Sequence, residues 1–281
     1  MKRIIKITGM IMMIFVLSCE ADDPMSFYGG GELVERVEEA WSVFRDGDFD
    51  SSLAIFNSAL IDAEFIMLED SNATLIRSTL GDIHTGIGWC NLRLLQAEKA
   101  REHFIISQGY ELYSFGTSAG LMTAYYELAH RQDEGEDNGP DTTQINLAID
   151  IGHWIFSSGM PEEFGYNATI NVDDVRLLMG KSYYAKGDLS NNSDEESGAL
   201  FWIFDLNRTL LEMGINPTGC TPDCLDPSYC LPDYSLYLGN SFNPNMWNLC
   251  GSGEQDYDSL DELILMILMV LEGKVFEVSP A

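Results

Sequence analysis

Four cysteines in the last quarter of the chain, Cys220, Cys224, Cys230 and Cys250, are the densest group of reactive side chains. Thiols grouped in this way close disulfides or hold a metal as thiolates. A Cys-x3-Cys-x5-Cys run, with a fourth cysteine after 19 more residues, fits no usual zinc spacing well. Two disulfides are therefore expected, with three possible connectivities. Cys90, beside Trp89 in a helical stretch, is expected to be a buried, inert thiol. The histidines His84, His103, His130 and His153 fall in separate repeats of the helical pattern described below and form no His-x3-His pair. No HExxH, GxSxG or P-loop pattern is present, and Gly29-Gly30-Gly31 follows no predicted strand. Carboxylates are so numerous that no glycosidase-like pair stands out by spacing. The acidic stretches between Arg131 and Asp141 and between Asp188 and Glu196 lack calcium-loop order: with Glu134 as first position, Ile145 falls where a bidentate glutamate belongs. They are expected to be solvated loops. The chemistry predicted from these residues is structural: no catalytic residue, no metal and no cofactor.

A different chemistry is written at the start. Lys2, Arg3 and Lys6 precede an apolar run from Ile7 to Leu17, the order of a secretory signal and too short to span a bilayer. It closes with Val16-Leu17-Ser18-Cys19, which resembles the lipobox of bacterial lipoproteins. The resemblance implies a signal peptide over residues 1–18 and acylation of Cys19, with stable membrane anchoring through more than one acyl chain. Residues 19–31 then form an acidic, glycine-bearing tether with an extended reach of roughly 40 Å. Asp22-Asp23, just after the cysteine, resembles the surface-export signal of some Bacteroidetes-type lipoproteins. The expected address is the bacterial cell envelope, as an outer-membrane lipoprotein facing the periplasm or the surface. Removing Lys2, Arg3 and Lys6 from the 15 basic residues leaves 12 against 45 acidic ones, a net charge of −33. That field excludes nucleic acid as a partner and favours solubility or encounter with basic proteins.

What must position any binding surface is a set of helices. From Ala40 to Ala59, apolar residues at helical spacing are interrupted at Gly47-Asp48, which predicts two antiparallel helices with a left-handed glycine ending the first and an aspartate capping the second. Ala40, Gly47-Asp48-Phe49, Ser52, Phe56 and Ala59 resemble the tetratricopeptide (TPR) helix-turn-helix repeat. Gly88, Ala100, Phe104 and Ser107 repeat the spacing, with Leu95-Gln96-Ala97 at the turn. Weaker units start near Ala124, resuming at Ala148 and Gly152, and near Gly180, with Gly187-Asp188-Leu189, Ala199 and Ile203. These starts are 48, 36 and 56 residues apart. The resemblance thus implies an all-α fold: a degenerate solenoid of helix hairpins with inserted loops over residues 32–213.

Residues 214–281 differ. Gly214 to Tyr257 lacks periodicity and holds the four cysteines, whose disulfides would pin it. Ser259 and Glu262 form a capping box and Gly273 ends a helix whose core, Leu263 to Leu271, is apolar on every face. This helix is expected to be buried between the last repeat and the cysteine-rich segment, capping the array.

In a TPR-like array the first helix of each pair lines a concave groove, which implies binding of an extended segment or helix of another envelope protein. Trp41, Arg45, Asn91, Tyr125 and Tyr183 are the groove candidates. A glycan- or small-molecule-binding lipoprotein, using Tyr229, Tyr234, Tyr237, Phe242 and Trp247 as stacking surfaces, is the alternative reading. A component of outer-membrane protein assembly is a further one.

Overall fold

The computed structural model describes residues 30–69, 74–110, 114–131, 139–159, 171–212 and Leu268. They form an all-α fold of eight helices: α1 (Gly30–Arg45), α2 (Phe49–Glu69), α3 (Thr74–Arg93), α4 (Ala97–Tyr110), α5 (Phe115–Ala129), α6 (Thr142–Ser157), α7 (Val172–Lys186) and α8 (Ala199–Glu212). The signal segment, Cys19, Cys220, Cys224, Cys230, Cys250 and the five loop aromatics lie outside the described residues. So does most of the acidic 131–141 stretch.

Local sequence sets the helix limits. In α1, Leu33, Val37, Ala40, Trp41 and Phe44 recur on one face and are all buried. Its end at Gly47 is a Schellman turn: the Gly47 N–H donates to the Phe44 carbonyl at 3.0 Å and the Asp48 N–H to that of Val43 at 3.3 Å. Gly47 sits at φ +83, and Asp48 then accepts from the Ser51 N–H at 3.1 Å, starting α2. The same two bonds close α3, from Leu95 to Leu92 and Gln96 to Asn91, and α7, from Gly187 to Tyr184 and Asp188 to Tyr183. The left-handed position is filled by Leu95 at φ +60 in the one and Gly187 at φ +80 in the other. Ser114 and Asp141 cap α5 and α6. Asn171 and Asp174 form a reciprocal capping box on α7. The Gly47 and Gly187 turns stand where the sequence places them. Helix α2, however, runs ten residues past Ala59.

Each helix packs on its chain neighbour, and α1 also touches α3, α3 touches α5, and α5 touches α7. The interfaces are built by size exchange. Phe56 on α2 is fully buried against Gly86 on α3, where an added Cβ would overlap the ring. Phe104 on α4 lies between Gly88 of its own hairpin and Gly120 of the next, and a Cβ on Gly88 would stand 2.6 Å from its ring. At the third junction the sizes reverse: Gly152 on α6 receives Met179 from α7. Emptying one of the aromatic sites costs about 3–5 kcal/mol. The close approach in the third unit is thus made by Gly120, four residues before Ala124, although Ala124 is also fully buried.

Several polar side chains inside this core pair with one another or with the backbone. Ser52 Oγ donates to the Ala40 carbonyl at 2.8 Å, and Cys90 Sγ donates to Ser52 Oγ at 3.4 Å. Burial pushes the Cys90 thiol up to about 11, so it is a free, protonated thiol at neutral pH, as expected for an inert one. Thr85, Ser107 and Thr117 share hydroxyl hydrogen bonds of 2.7–3.2 Å, and Ser107 also donates to the Gly81 carbonyl at 2.8 Å.

Helix α2 is long and apolar enough by composition to cross a bilayer. Its Phe56, Ala59 and Ala63 are nevertheless in the core, and Asp62 pairs with Arg36 of α1, while Ile61, Phe65 and Leu68 are exposed. In the second loop, Asn192 and Ser197 exchange backbone hydrogen bonds of 3.0 Å each. Of the expected C-terminal helix only Leu268 is described: it is helical, buried, and 3.4 Å from where a Cβ on Gly180 would stand.

Candidate functional site

Helices α3, α5 and α7 border a cleft of about 350 Å³. Trp89, Leu92 and Arg93 reach it from α3, and Ala119, Thr123, Tyr126 and Glu127 from α5. From α7 come Asp174, Val175, Leu177, Leu178 and Lys181, and Leu95 in the α3–α4 turn stands at its edge. The spacings 119, 123, 126, 127 and 174, 178, 181 are those of single helix faces. Every helical contributor is the first helix of its hairpin.

The walls are mostly apolar and the charges mixed. Arg93 and Lys181 stand with Glu127 and Asp174, a balanced set in a strongly acidic chain. Burial pushes the Asp174 carboxyl up to about 6, against the Asn171 N–H that donates to it at 2.8 Å; nearby Asp173 adds to the rise and Arg93 opposes it. Asp173 is also raised by burial although it pairs with Arg176 at 2.8 Å, and Arg176 Nε donates to Asp205 of α8 at 2.7 Å. This ion cluster joins the two helices of the last hairpin beside the cleft. Trp89 is almost fully buried and its indole N–H has no hydrogen-bond partner among the described residues. It is a donor without an acceptor on the cleft wall.

None of the five groove candidates lines this cleft. Trp41 is buried edge-on against Phe44 and Phe56. Asn91 is buried and donates to the Ile87 carbonyl at 2.8 Å. Tyr183 is buried with its hydroxyl 2.8 Å from His153 Nε2, and burial pushes it up to about 12. Tyr125 is half-buried and Arg45 is exposed at the end of α1. Each residue turns the helix by about 100°, so Leu92 and Tyr126 line the cleft where Asn91 and Tyr125 do not. Apolar periodicity marks the buried face, and it carries no signal for the half-buried residues beside it.

A second cluster was invisible in the sequence. His84 and His103 are not in separate repeats; they occupy the two helices of one hairpin, with their Nδ1 atoms 3.0 Å apart. Tyr110 stacks on His84 at 5.9 Å and 7°, and the Arg77 guanidinium lies 5.8 Å from the Tyr110 ring centre. Burial, then the neighbouring His103, pulls His84 down to about 4, and burial lowers His103 as well. Both rings are therefore neutral at pH 7, one donating to the other. Among the described residues no three histidine, cysteine, aspartate or glutamate side chains come together as a metal group. No known family model, curated protein or solved structure matches the chain.

Proposed function

We propose that the chain is a lipid-anchored, non-catalytic TPR-like solenoid of the bacterial envelope, binding an extended segment of another protein in the cleft between α3, α5 and α7. The observation that carries this reading is the lining of the cleft: its helical walls all come from first helices, the arrangement by which stacked hairpins form a concave binding face. Two further features support it. The odd-numbered helices touch one another in succession, and three hairpin helices end in the same Schellman turn. The envelope address and the acylation of Cys19 rest on the sequence alone, and the glycan reading rests on aromatics outside the described residues.

Filling the cleft tests the proposal. Thr123→Trp places a large side chain on its wall, at a residue that is only half-buried. In cells, a carboxylate-reactive cross-linker should attach one recurrent envelope protein to the wild-type chain and fail to do so with Thr123→Trp. Equal cross-linking by both forms would move the binding surface elsewhere. Mass spectrometry of the N-terminal peptide reports separately on whether Cys19 carries acyl chains.

A further inference from the structure

We propose that Leu95 is a ligand-contacting residue, and that the cleft takes its peptide through one apolar side chain seated against it. This deepens the peptide-groove reading and rests on it. The three Schellman turns supply the internal control. Their hydrogen bonds are the same, yet the left-handed position is glycine at φ +83 and φ +80 in two of them and leucine at φ +60 in the third. Glycine holds this conformation freely, whereas a leucine Cβ crowds the following carbonyl. The turn hydrogen bonds are the same in all three, and the Leu95 side chain, 85% exposed, adds little packing among the described residues to offset that strain. Strain held without compensating packing points to a use outside the fold.

The place of that side chain says what the use is. Leu95 lines the cleft together with the apolar Leu92 and Trp89 of α3 and Val175 and Leu178 of α7. A cleft of about 350 Å³ is at the small end of ligand pockets, with ample room for a large side chain of a bound segment. The two cations and two carboxylates around it favour neither charge sign, so a neutral anchor is the complementary one.

The test begins with a phage-displayed library of random nine-residue peptides selected on the full chain. Affinities of the selected peptides are then measured by fluorescence anisotropy for the wild type, Leu95→Gly, Leu95→Ala and Thr123→Trp. The selected peptides should share a leucine, methionine or phenylalanine. Leu95→Gly should weaken them about tenfold, the loss of one buried aliphatic contact, while raising Tm by roughly 2–4 °C as the strain is released. Leu95→Ala should weaken binding equally without raising Tm. Undiminished binding by Leu95→Gly, or a fall in its Tm, overturns the assignment of Leu95 and leaves the groove intact. Peptides indifferent to Thr123→Trp bind elsewhere, and an empty selection leaves no peptide site; either result removes the groove reading and this inference together. Selected peptides that all match stretches of the chain's own sequence overturn the proposal in favour of self-occupancy.

Discussion

The second and third junctions between hairpins solve one packing problem with opposite hands. At the second, the later helix of the hairpin carries the large residue, Phe104, and the next hairpin answers with Gly120; at the third, Gly152 stands on the later helix and Met179 comes back from α7. Each junction sets one large side chain against one glycine, and the helix that carries the large one is exchanged. An interface of this kind is specified by pairs of residues, so a pattern that reads one position at a time recognises it only where the large partner stays on the expected side.

Breaking each junction separately shows how far the two differ. Phe104→Ala should be the most damaging change, destabilising by about 3–5 kcal/mol in chemical denaturation, because a rigid ring is lost from two glycine-walled contacts at once. Met179→Ala should cost about 2–4 kcal/mol, since the flexible thioether fills one. If Met179→Ala proved the worse of the two, the third junction would be the better packed and the comparison would invert.

Adding atoms sharpens the contrast. Gly120→Ala drives a methyl group into the Phe104 ring, which has no room to turn, and should cost about 1–3 kcal/mol. Gly152→Ala meets the end of Met179, which can swing aside, and should cost less. The decisive form is Gly152→Phe, destabilising alone, combined with Met179→Gly. Recovery of most of the lost urea midpoint in the double variant would establish the exchange, and simple additivity of the two losses would refute it.

The smallest expected effect concerns pH and contrasts the second hairpin with the fourth. His84 is held below its ordinary 6.5, down to about 4, so its stabilising effect is present above pH 6.5 and is lost as pH falls towards 4. Asp174 is raised to about 6, so its neutral form stabilises at low pH and that stability is lost as pH rises through 6. The two slopes oppose each other in the acid range. Asp174→Asn should therefore steepen the acid loss of stability, and His84→Asn should flatten it, both read from urea midpoints between pH 7 and pH 4. Parallel shifts in the two variants would mean that neither group titrates as its surroundings demand.

The contrasts explain what was legible. Gly47-Asp48 and Gly187-Asp188 could be read because a left-handed turn calls for glycine and the amide after it can be capped locally; both events lie within five residues. The helices follow from apolar spacing in the same way. The His84–His103 pair, nineteen residues apart across a hairpin, and the Phe56–Gly86 lock, thirty apart, depend on how helices are laid side by side. The cleft lining differs from the expected groove residues by one residue of rotation: periodicity fixes which side of α3 and α5 is buried, while Leu92 and Tyr126 sit on its margin, where a partly covered side chain and a packed one have the same composition.

The neighbour-to-neighbour packing bears on how the chain comes to order. Among the described residues the main helix contacts join elements adjacent or next but one in the chain, the pattern that favours low contact order and fast folding. The first hairpin has its partners within reach before the last is complete, so order can advance from α1 towards α8 as a front. Leu268 is an exception: its seat against Gly180 closes a loop of nearly ninety residues, so this contact must wait until the helices before it have been laid down.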